Sequence, residues 1–157
     1  MIKISALTIA VCLLLPAFTH ANELEQALND YEYGHFAAAM KTLEKLARED
    51  NPEAQYHLAF MYFNGDGVEN NDEIAAKWFE QAAMAGHAGA QDILAYMYLN
   101  GRGVAADPLQ AYVWYSIAAE NGVFLANKII TMLEQEMTLE DRVAAEMMLE
   151  ESRAMVK

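Results

Sequence analysis

Apolar residues recur along most of the chain with the spacing of amphipathic helices. Around position 60, Leu58, Ala59 and Tyr62 fall on one helical face, and this predicts a helix that packs through that face. Two glycines within three residues, Gly65 and Gly67, follow it. They end the helix, because glycine adopts backbone angles that other residues avoid. The pattern predicts a helix followed by a tight loop.

A second helix follows this loop. Ala75, Trp78 and Ala82 again have helical spacing, and Gly86 stands where such a helix ends. The small alanines permit close approach to the first helix, while Trp78 supplies bulk. The segment therefore predicts a helical hairpin.

The same hairpin occurs twice, with a separation of 36 residues between matching positions. The matching pairs are Ala54-Gln55 and Ala90-Gln91, Leu58-Ala59 and Leu94-Ala95, Met61-Tyr62 and Met97-Tyr98, Asn64-Gly65 and Asn100-Gly101, Gly67-Val68 and Gly103-Val104, Ala75 and Ala111, Trp78 and Trp114, Ala82-Ala83 and Ala118-Ala119, and Gly86 and Gly122. So many matches in one register establish an internal repeat. A single hairpin cannot bury its apolar face alone, so the units are expected to stack.

The flanking segments complete the predicted array. Before the first full unit the chain resembles a degenerate hairpin, and after the second a partial unit leads to Thr138-Leu139-Glu140-Asp141, which opens a last helix with a capping-box pattern. The predicted organisation is a signal peptide at 1–21, a degenerate N-terminal helical hairpin at 22–50, repeats at 51–86 and 87–122, and a partial repeat with a C-terminal capping helix at 123–157.

The first residues predict export. Met1-Ile2-Lys3 supplies a short basic region, the apolar run from Ile4 to Leu15 follows, and Thr19-His20-Ala21 offers small residues at the positions that signal peptidase reads. We expect cleavage after Ala21. A retained membrane anchor is the alternative, but the run is shorter than the roughly 20 residues that a spanning helix needs. Cleavage removes Cys12, the single cysteine, and with it any disulfide or thiol chemistry.

Charge narrows the classes of partner. The formal net charge is −13, whereas nucleic acids and anionic lipid surfaces reward a basic face. We therefore expect no nucleic-acid partner. No second apolar stretch approaches membrane-spanning length, so we also expect no membrane insertion once the signal peptide is removed. A periplasmic or secreted location follows from the export signal.

The repeat resembles the Sel1-like family, a relative of the tetratricopeptide repeat. The residues that carry the resemblance are Leu58-Ala59, Tyr62, Asn64-Gly65-Asp66-Gly67-Val68, Asp72, Ala75, Trp78-Phe79, Ala82-Ala83 and Gly86, with Leu94-Ala95, Tyr98, Asn100-Gly101-Arg102-Gly103-Val104, Ala111, Trp114-Tyr115, Ala118-Ala119 and Gly122 in the second unit. The 36-residue period favours this family over plain tetratricopeptide repeats, whose period is about 34 residues. The resemblance implies an all-α fold, a right-handed α-solenoid of stacked antiparallel helical hairpins. Its concave surface, lined by first helices, would hold a protein or peptide. One branch of the family has been linked to β-lactam binding or hydrolysis, but that branch is cysteine-rich.

Catalytic chemistry finds little support in the sequence. His35, His57 and His87 have spacings that fit no metal-binding motif. Ser116 and Ser152 lie within predicted helices, and neither occupies a nucleophile elbow. We predict no catalytic residue, no metal site and no cofactor.

An acidic cluster at the first loop is the remaining candidate for metal binding. Asp66, Glu69, Asp72 and Glu73 do not follow the alternating oxygen ligands of an EF-hand loop. The second unit does not repeat these carboxylates, so a solvated loop is the favoured interpretation.

A second stripe on the first helices is the candidate binding surface, because Leu58, Ala59 and Tyr62 are committed to packing. By resemblance to tetratricopeptide units it faces the concave groove, where aromatic residues offer large contact area and asparagines bind peptide backbone. The alternative is that the aromatic residues pack between neighbouring hairpins. The predicted partner-binding residues are Glu53, Tyr56, Phe60, Phe63, Asn64, Asp92, Tyr96 and Asn100, with Gly89 and Leu99 at the two other equivalent positions.

Three hypotheses about function follow. The leading one is an exported protein-protein interaction module, an adaptor or regulator in the bacterial cell envelope without enzymatic activity. The second is an enzyme that acts on cell-wall or polysaccharide material, and the third is a structural envelope component. The sequence leaves the partner and the oligomeric state open.

Overall fold

Residues 21–156 are described by a computed structural model and form eight helices and no strand. The predicted signal peptide, apart from Ala21, lies outside the described residues. The helices are α1 (21–32), α2 (Phe36–Arg48), α3 (Pro52–Asn64), α4 (Asp72–Met84), α5 (Ala88–Asn100), α6 (Pro108–Glu120), α7 (Ala126–Glu136) and α8 (Leu139–Met155). Successive helices pack on each other from α2 to α7, and α8 packs on α6. The predicted all-α solenoid is confirmed.

The helices keep the period of the sequence. The four helices from α3 to α6 have 13 residues each, and matching helices begin 36 residues apart, at Pro52 and Ala88 and at Asp72 and Pro108. Helix α2 also has 13 residues and begins at Phe36, 36 residues before α4. The 36-residue spacing between second helices therefore extends to α2, in the segment where the sequence pattern is degenerate.

Side-chain caps fix where each repeated helix begins. Asn51, Asn71 and Asp107 each accept a hydrogen bond from a backbone N–H of the first turn. At α5 the cap is His87, whose Nδ1 accepts from the Ala90 N–H at 3.0 Å. Histidine is not among the preferred capping residues, so this cap was missed by sequence reasoning.

Glycine ends the helices as predicted. Gly86 and Gly122 have φ of +86° and +97°. After α4, the Gly86 N–H donates to the Ala83 carbonyl and the His87 N–H donates to the Ala82 carbonyl, which is the Schellman arrangement. The same pair of bonds follows α6.

The second glycine of each loop touches the preceding unit. A Cβ on Gly67 would lie 2.4 Å from Phe36 Cβ, and a Cβ on Gly103 would lie 2.1 Å from the Asp72 carbonyl oxygen. Phe36 and Asp72 are the first residues of α2 and α4. The contact is thus repeated with the period of the chain, and it positions each hairpin against the one before.

The core runs along the array as two clusters of buried side chains. One joins α1, α2 and α3, and the larger one extends from α3 to α8. The central residue of the first repeat is Phe79, with no exposed surface, while the neighbouring Trp78 is only half-buried. The counterpart of Phe79 in the second repeat, Tyr115, is 2% exposed. Sequence reasoning gave the filling role to Trp78 and missed Phe79.

The last two helices depart from the repeat. Helix α7 begins at Ala126 and is followed directly by α8, whose predicted capping box is present between Thr138 and Asp141. The side chain of Leu149 on α8 is buried in the core of the second repeat. Within residues 21–156, no helix is long and apolar enough to cross a membrane.

Candidate functional site

The eight residues of the predicted partner-binding stripe lie on α3 and α5. Asn64, Tyr96 and Asn100 are exposed. The half-buried members are Glu53, Tyr56, Phe60, Phe63 and Asp92. The stripe therefore remains accessible to different degrees along the two helices.

Three of the aromatic side chains on α3 form one continuous cluster around Phe79. The Phe60 ring centroid lies 5.2 Å from that of Phe79, and the centroids of Tyr56 and Phe63 each lie 6.0 Å from it. Edge-to-face contact at these distances is favourable. The inner edges of these rings belong to the core while their outer edges remain partly exposed. We call Tyr56, Phe60 and Phe63 the aromatic band.

One end of the aromatic band is fixed by two histidines and a carboxylate. Tyr56 stacks on His87 with 4.1 Å between ring centroids. The Nε2 atoms of His57 and His87 each lie 3.2 Å from an oxygen of Glu53. Burial lowers the pKa of His57, against an opposing effect of Glu53. Glu53 is therefore held by two imidazoles from successive hairpins.

This cluster is not built to hold a metal. His87 Nδ1 accepts from the Ala90 N–H, so the proton of a neutral ring is on Nε2, the nitrogen that faces Glu53. Coordination through Nε2 would require the proton to move to Nδ1, which would break the helix cap. Among the described residues, no group of three histidine, aspartate or glutamate side chains is arranged to hold a metal ion.

The surface is more polar on α5. Asp92 occupies the position equivalent to Tyr56, and burial raises the pKa of its carboxyl group. Tyr96, equivalent to Phe60, is 42% exposed. Beneath them burial raises the pKa of Tyr115 to about 12, with further contributions from Asp92 and Tyr96. The face thus changes from aromatic on α3 to mixed aromatic and acidic on α5.

The two asparagines of the stripe already make local hydrogen bonds. Asn64 Nδ2 donates to an Asp66 carboxylate oxygen at 3.2 Å, and Asn100 Nδ2 donates to the Tyr96 carbonyl at 2.8 Å. A side-chain amide has two N–H donors and one carbonyl oxygen, so a single bond of this kind leaves hydrogen-bonding capacity in each asparagine. Binding of a peptide backbone by Asn64 and Asn100 stays a prediction.

Arg102 borders the aromatic band and was missed by sequence reasoning. Its guanidinium carbon lies 3.5 Å from the centroid of the Phe63 ring. Its Nε donates to Asp72 at 2.7 Å, and a terminal nitrogen donates to the Phe63 carbonyl at 3.1 Å. Stacking of arginine on an aromatic face is favourable, so this side chain links the second loop to the first repeat.

The other chemical candidates also serve packing or links between units. In the acidic cluster, Asp66 accepts a hydrogen bond from the Tyr31 hydroxyl at 2.5 Å, and Asp72 pairs with Arg102. The Ser116 hydroxyl is buried and donates to the Tyr112 carbonyl at 2.8 Å. The contacts of Asp66 and Asp72 join neighbouring units, whereas the Ser116 bond lies within α6.

The fold and the face along its first helices define a helical-hairpin repeat protein. The Sel1 repeat profile matches residues 52–87 and 88–123. The chain therefore carries two Sel1 repeats, and the resemblance drawn from the sequence is confirmed. Sel1 repeats generally act as protein–protein interaction modules and are typically non-catalytic.

Two solved structures are similar to the chain. One is a protective antigen present in uropathogenic Escherichia coli strains that displays an SLR fold, with a TM-score of 0.82, 23% identity, and coverage of 87% of this chain and 30% of that chain. The other is a Sel1 repeat protein from Oxalobacter formigenes, with a TM-score of 0.68, 33% identity, and coverage of 72% of this chain and 46% of that chain. The chain thus spans less than half the length of either structure. No curated protein matches it.

Proposed function

We propose that this protein is an exported adaptor or regulator of the bacterial cell envelope that binds a protein segment on the face formed by α3 and α5. The observation that carries the proposal is the partly exposed aromatic band on α3 together with the exposed Tyr96 at the equivalent position on α5. Aromatic side chains that remain partly exposed on a rigid support are favoured at protein interfaces, because they bury large areas at low entropic cost.

The surface offers both apolar contact and charge. The aromatic band supplies a rigid platform on α3, and Tyr96 extends it onto α5. Glu53 and Asp92 lie along the same face, so a segment with apolar residues beside a basic residue is complementary. Export to the periplasm or beyond rests on the N-terminal sequence pattern, and the interaction class rests on the Sel1 repeats.

The test removes the most exposed aromatic side chain. Tyr96→Ala leaves the packing around Phe79 in place, because Tyr96 is 42% exposed. The bait begins at Asn22, and a protein captured from envelope extract is purified and titrated against it. We expect Tyr96→Ala to weaken binding at least tenfold, about 1.4 kcal/mol.

Tyr33→Ala is the matched control, since Tyr33 is 77% exposed in the turn between α1 and α2. It should leave the affinity unchanged. Equal affinity of Tyr96→Ala and Tyr33→Ala for the partner would show that the partner does not bind to this face. Turnover of cell-wall material by the purified protein would instead favour the enzyme hypothesis.

A further inference from the structure

Two buried glutamines occupy equivalent positions in the two repeats, 36 residues apart. Gln55 and Gln91 are 3% and 0% exposed. Gln55 Nε2 donates to the Ala47 carbonyl at 3.1 Å, and Gln91 Nε2 donates to the Ala83 carbonyl at 3.0 Å. Each side-chain amide thus ties a first helix to the end of the helix before it.

The carbonyl ends of the two amides differ. Gln91 Oε1 accepts a hydrogen bond from Asn121 Nδ2 at 2.9 Å. The residue equivalent to Asn121 is Ala85, which has no donor in its side chain. Among the described residues, Gln55 Oε1 is buried without any hydrogen-bond partner. A buried carbonyl is normally paired, so this position lacks a donor that its own repeat pattern specifies.

Gln55, whose carbonyl oxygen is unpaired, belongs to the wall of a groove of about 720 Å³. Gln55 and Ala85 both line this groove, between the start of α3 and the second half of α4, and Met84 and Met155 supply apolar surface. This volume is typical of a ligand pocket and far larger than the about 30 Å³ of one water molecule. Methionine side chains adapt readily to different occupants.

The equivalent face of the second repeat is already covered. On α6, Val113 and Ile117 are buried in the same core cluster as Ala145 and Leu149 of α8, and α8 packs on α6. Arg153 of α8 forms an ion pair with Glu120. On α4 the counterparts of Val113 and Ile117 are Lys77 and Gln81, and both are exposed. Helix α8 ends at Met155, at the edge of the groove. The exposed face of α4 is therefore equivalent to the face of α6 on which α8 packs.

The charges at the groove favour a basic occupant. Asp50 and Glu80 contribute two carboxylates, and Lys77 contributes one ammonium group. Within the described part of the chain, none of the three forms a salt bridge. The formal net charge of −13 reinforces this preference by attracting positively charged segments.

We propose that this groove binds a basic peptide segment whose asparagine or glutamine side chain donates a hydrogen bond to Gln55 Oε1. The donor occupies the place that Asn121 takes against Gln91. A lysine or arginine of the same peptide faces Asp50 and Glu80. The groove is a second interaction surface, separate from the face formed by α3 and α5.

The deciding variant is Ala85→Asn, which supplies the missing donor from within the chain. It is expected to fold, because asparagine occupies the same C-cap in the second repeat. A random peptide display library is selected on the protein from Asn22 onward, with counter-selection against Ala85→Asn. We expect the enriched peptides to share an asparagine or glutamine close to a lysine or arginine.

One enriched peptide is then synthesised and titrated while the methyl resonances of Met84 and Met155 are recorded. Both resonances should shift on binding. Replacing the peptide asparagine with aspartate should weaken binding at least tenfold, since aspartate has no N–H donor and is repelled by Asp50 and Glu80. Ala85→Asn in the protein should cause a loss of the same size.

Charge is tested separately with Glu80→Gln, which should weaken the same peptide about threefold. Glu69→Gln is the matched control, because Glu69 is exposed and does not line the groove. If no peptide is enriched over the Ala85→Asn background, water alone pairs with Gln55 and the proposal fails. It also fails if the asparagine and aspartate peptides bind equally. Tyr96→Ala should leave this binding intact, so the two proposed surfaces succeed or fail independently.

Discussion

The first repeat, residues 52–87, and the second, residues 88–123, share one backbone and differ in the chemistry attached to it. Both have helices of 13 residues, the same glycine-ended helices and the same close loop contact. They differ where Tyr56 is replaced by Asp92 and Phe79 by Tyr115, 36 residues later in each case. The second unit therefore has a carboxylate in place of the Tyr56 ring and a hydroxyl on the ring that replaces Phe79.

The comparison separates two kinds of position. Residues that are identical in both units, such as Gln55 and Gln91, make the contacts that hold one helix to the next. Residues that differ, such as Tyr56 and Asp92, lie mainly on the partly exposed face, although the buried pair Phe79 and Tyr115 also differs. Ala85 and Asn121 differ at equivalent helix C-caps, and this difference affects a buried residue that is identical in both units. Asn121 donates to the Gln91 side-chain carbonyl, whereas Ala85 leaves the Gln55 carbonyl unpaired.

The largest expected effect comes from Gly103→Ala, which disrupts the close loop contact that both units make with the preceding one. The new Cβ would lie 2.1 Å from the Asp72 carbonyl oxygen, at a φ of +70° that alanine disfavours. We expect a loss of about 3–5 kcal/mol in the free energy of unfolding, from overpacking and backbone strain together. Urea denaturation followed by circular dichroism measures it.

Gly122→Ala is the control for this variant, because its φ is +97° but no atom lies within 4 Å of the new Cβ. It carries backbone strain alone and should cost about 1 kcal/mol. Equal urea midpoints for the two variants would show that the contact between Gly103 and Asp72 is not tight in solution.

The second prediction converts one unit into the other at the capping position. Asn121→Ala leaves Gln91 Oε1 without its donor, as Gln55 Oε1 is in the first repeat. We expect a loss of about 2 kcal/mol, the cost of an unpaired buried carbonyl. The reverse change, Ala85→Asn, should stabilise the protein by about 1 kcal/mol. Thermal unfolding measures both.

The two substitutions at the capping position should move the melting temperature in opposite directions. A fall in both cases would mean that position 85 does not direct its side chain toward Gln55. No change for Asn121→Ala would mean that water replaces the lost donor without cost.

The smallest effect concerns Tyr115, an ionisable core residue at the position where the first repeat has Phe79. Burial raises the pKa of Tyr115 in the folded protein to about 12 from its usual 10.0, so the unfolded chain loses this proton first. The stabilisation is present below pH 10 and is lost as the pH rises toward 12. At pH 11 the loss of stability amounts to about 1 kcal/mol.

Tyr115→Phe makes the second core resemble the first, where Phe79 cannot ionise. Relative to the unmodified protein, the variant should gain this 1 kcal/mol, about one pKa unit of linkage, between pH 8 and pH 11. Denaturation at the two pH values measures the gain. If the variant and the unmodified protein lose the same stability between pH 8 and pH 11, Tyr115 ionises as readily in the folded protein as in the unfolded chain.

The sequence predicts the hairpins well because the residues that build them repeat without change. The loop glycines, the Asp107 cap and the Thr138 capping box could each be interpreted from residue type alone. Phe79 escaped notice because its counterpart is a different residue, Tyr115, and because the adjacent tryptophan is identical in both units. The structure shows that Phe79, not Trp78, fills the centre of the first repeat.

The polar contacts are harder to foresee. A glutamine on an amphipathic helix is usually exposed, so the burial of Gln55 depends on a carbonyl from the preceding helix that sequence spacing does not reveal. The identity of Ala54-Gln55 and Ala90-Gln91 was the one available signal. His87 is similar: its capping role depends on ring orientation, and its stack on Tyr56 depends on how two hairpins meet.

The loop glycines also constrain how such a chain can change length. Because Gly67 rests on the first residue of α2 and Gly103 on the first residue of α4, each loop takes its position from the previous unit. A duplicated block of 36 residues would bring its own glycine to the equivalent helix start. A block one residue shorter or longer would place a side chain there instead. Arrays of this kind are therefore expected to gain and lose whole repeats, and their lineages should record duplications where other folds record gradual insertions.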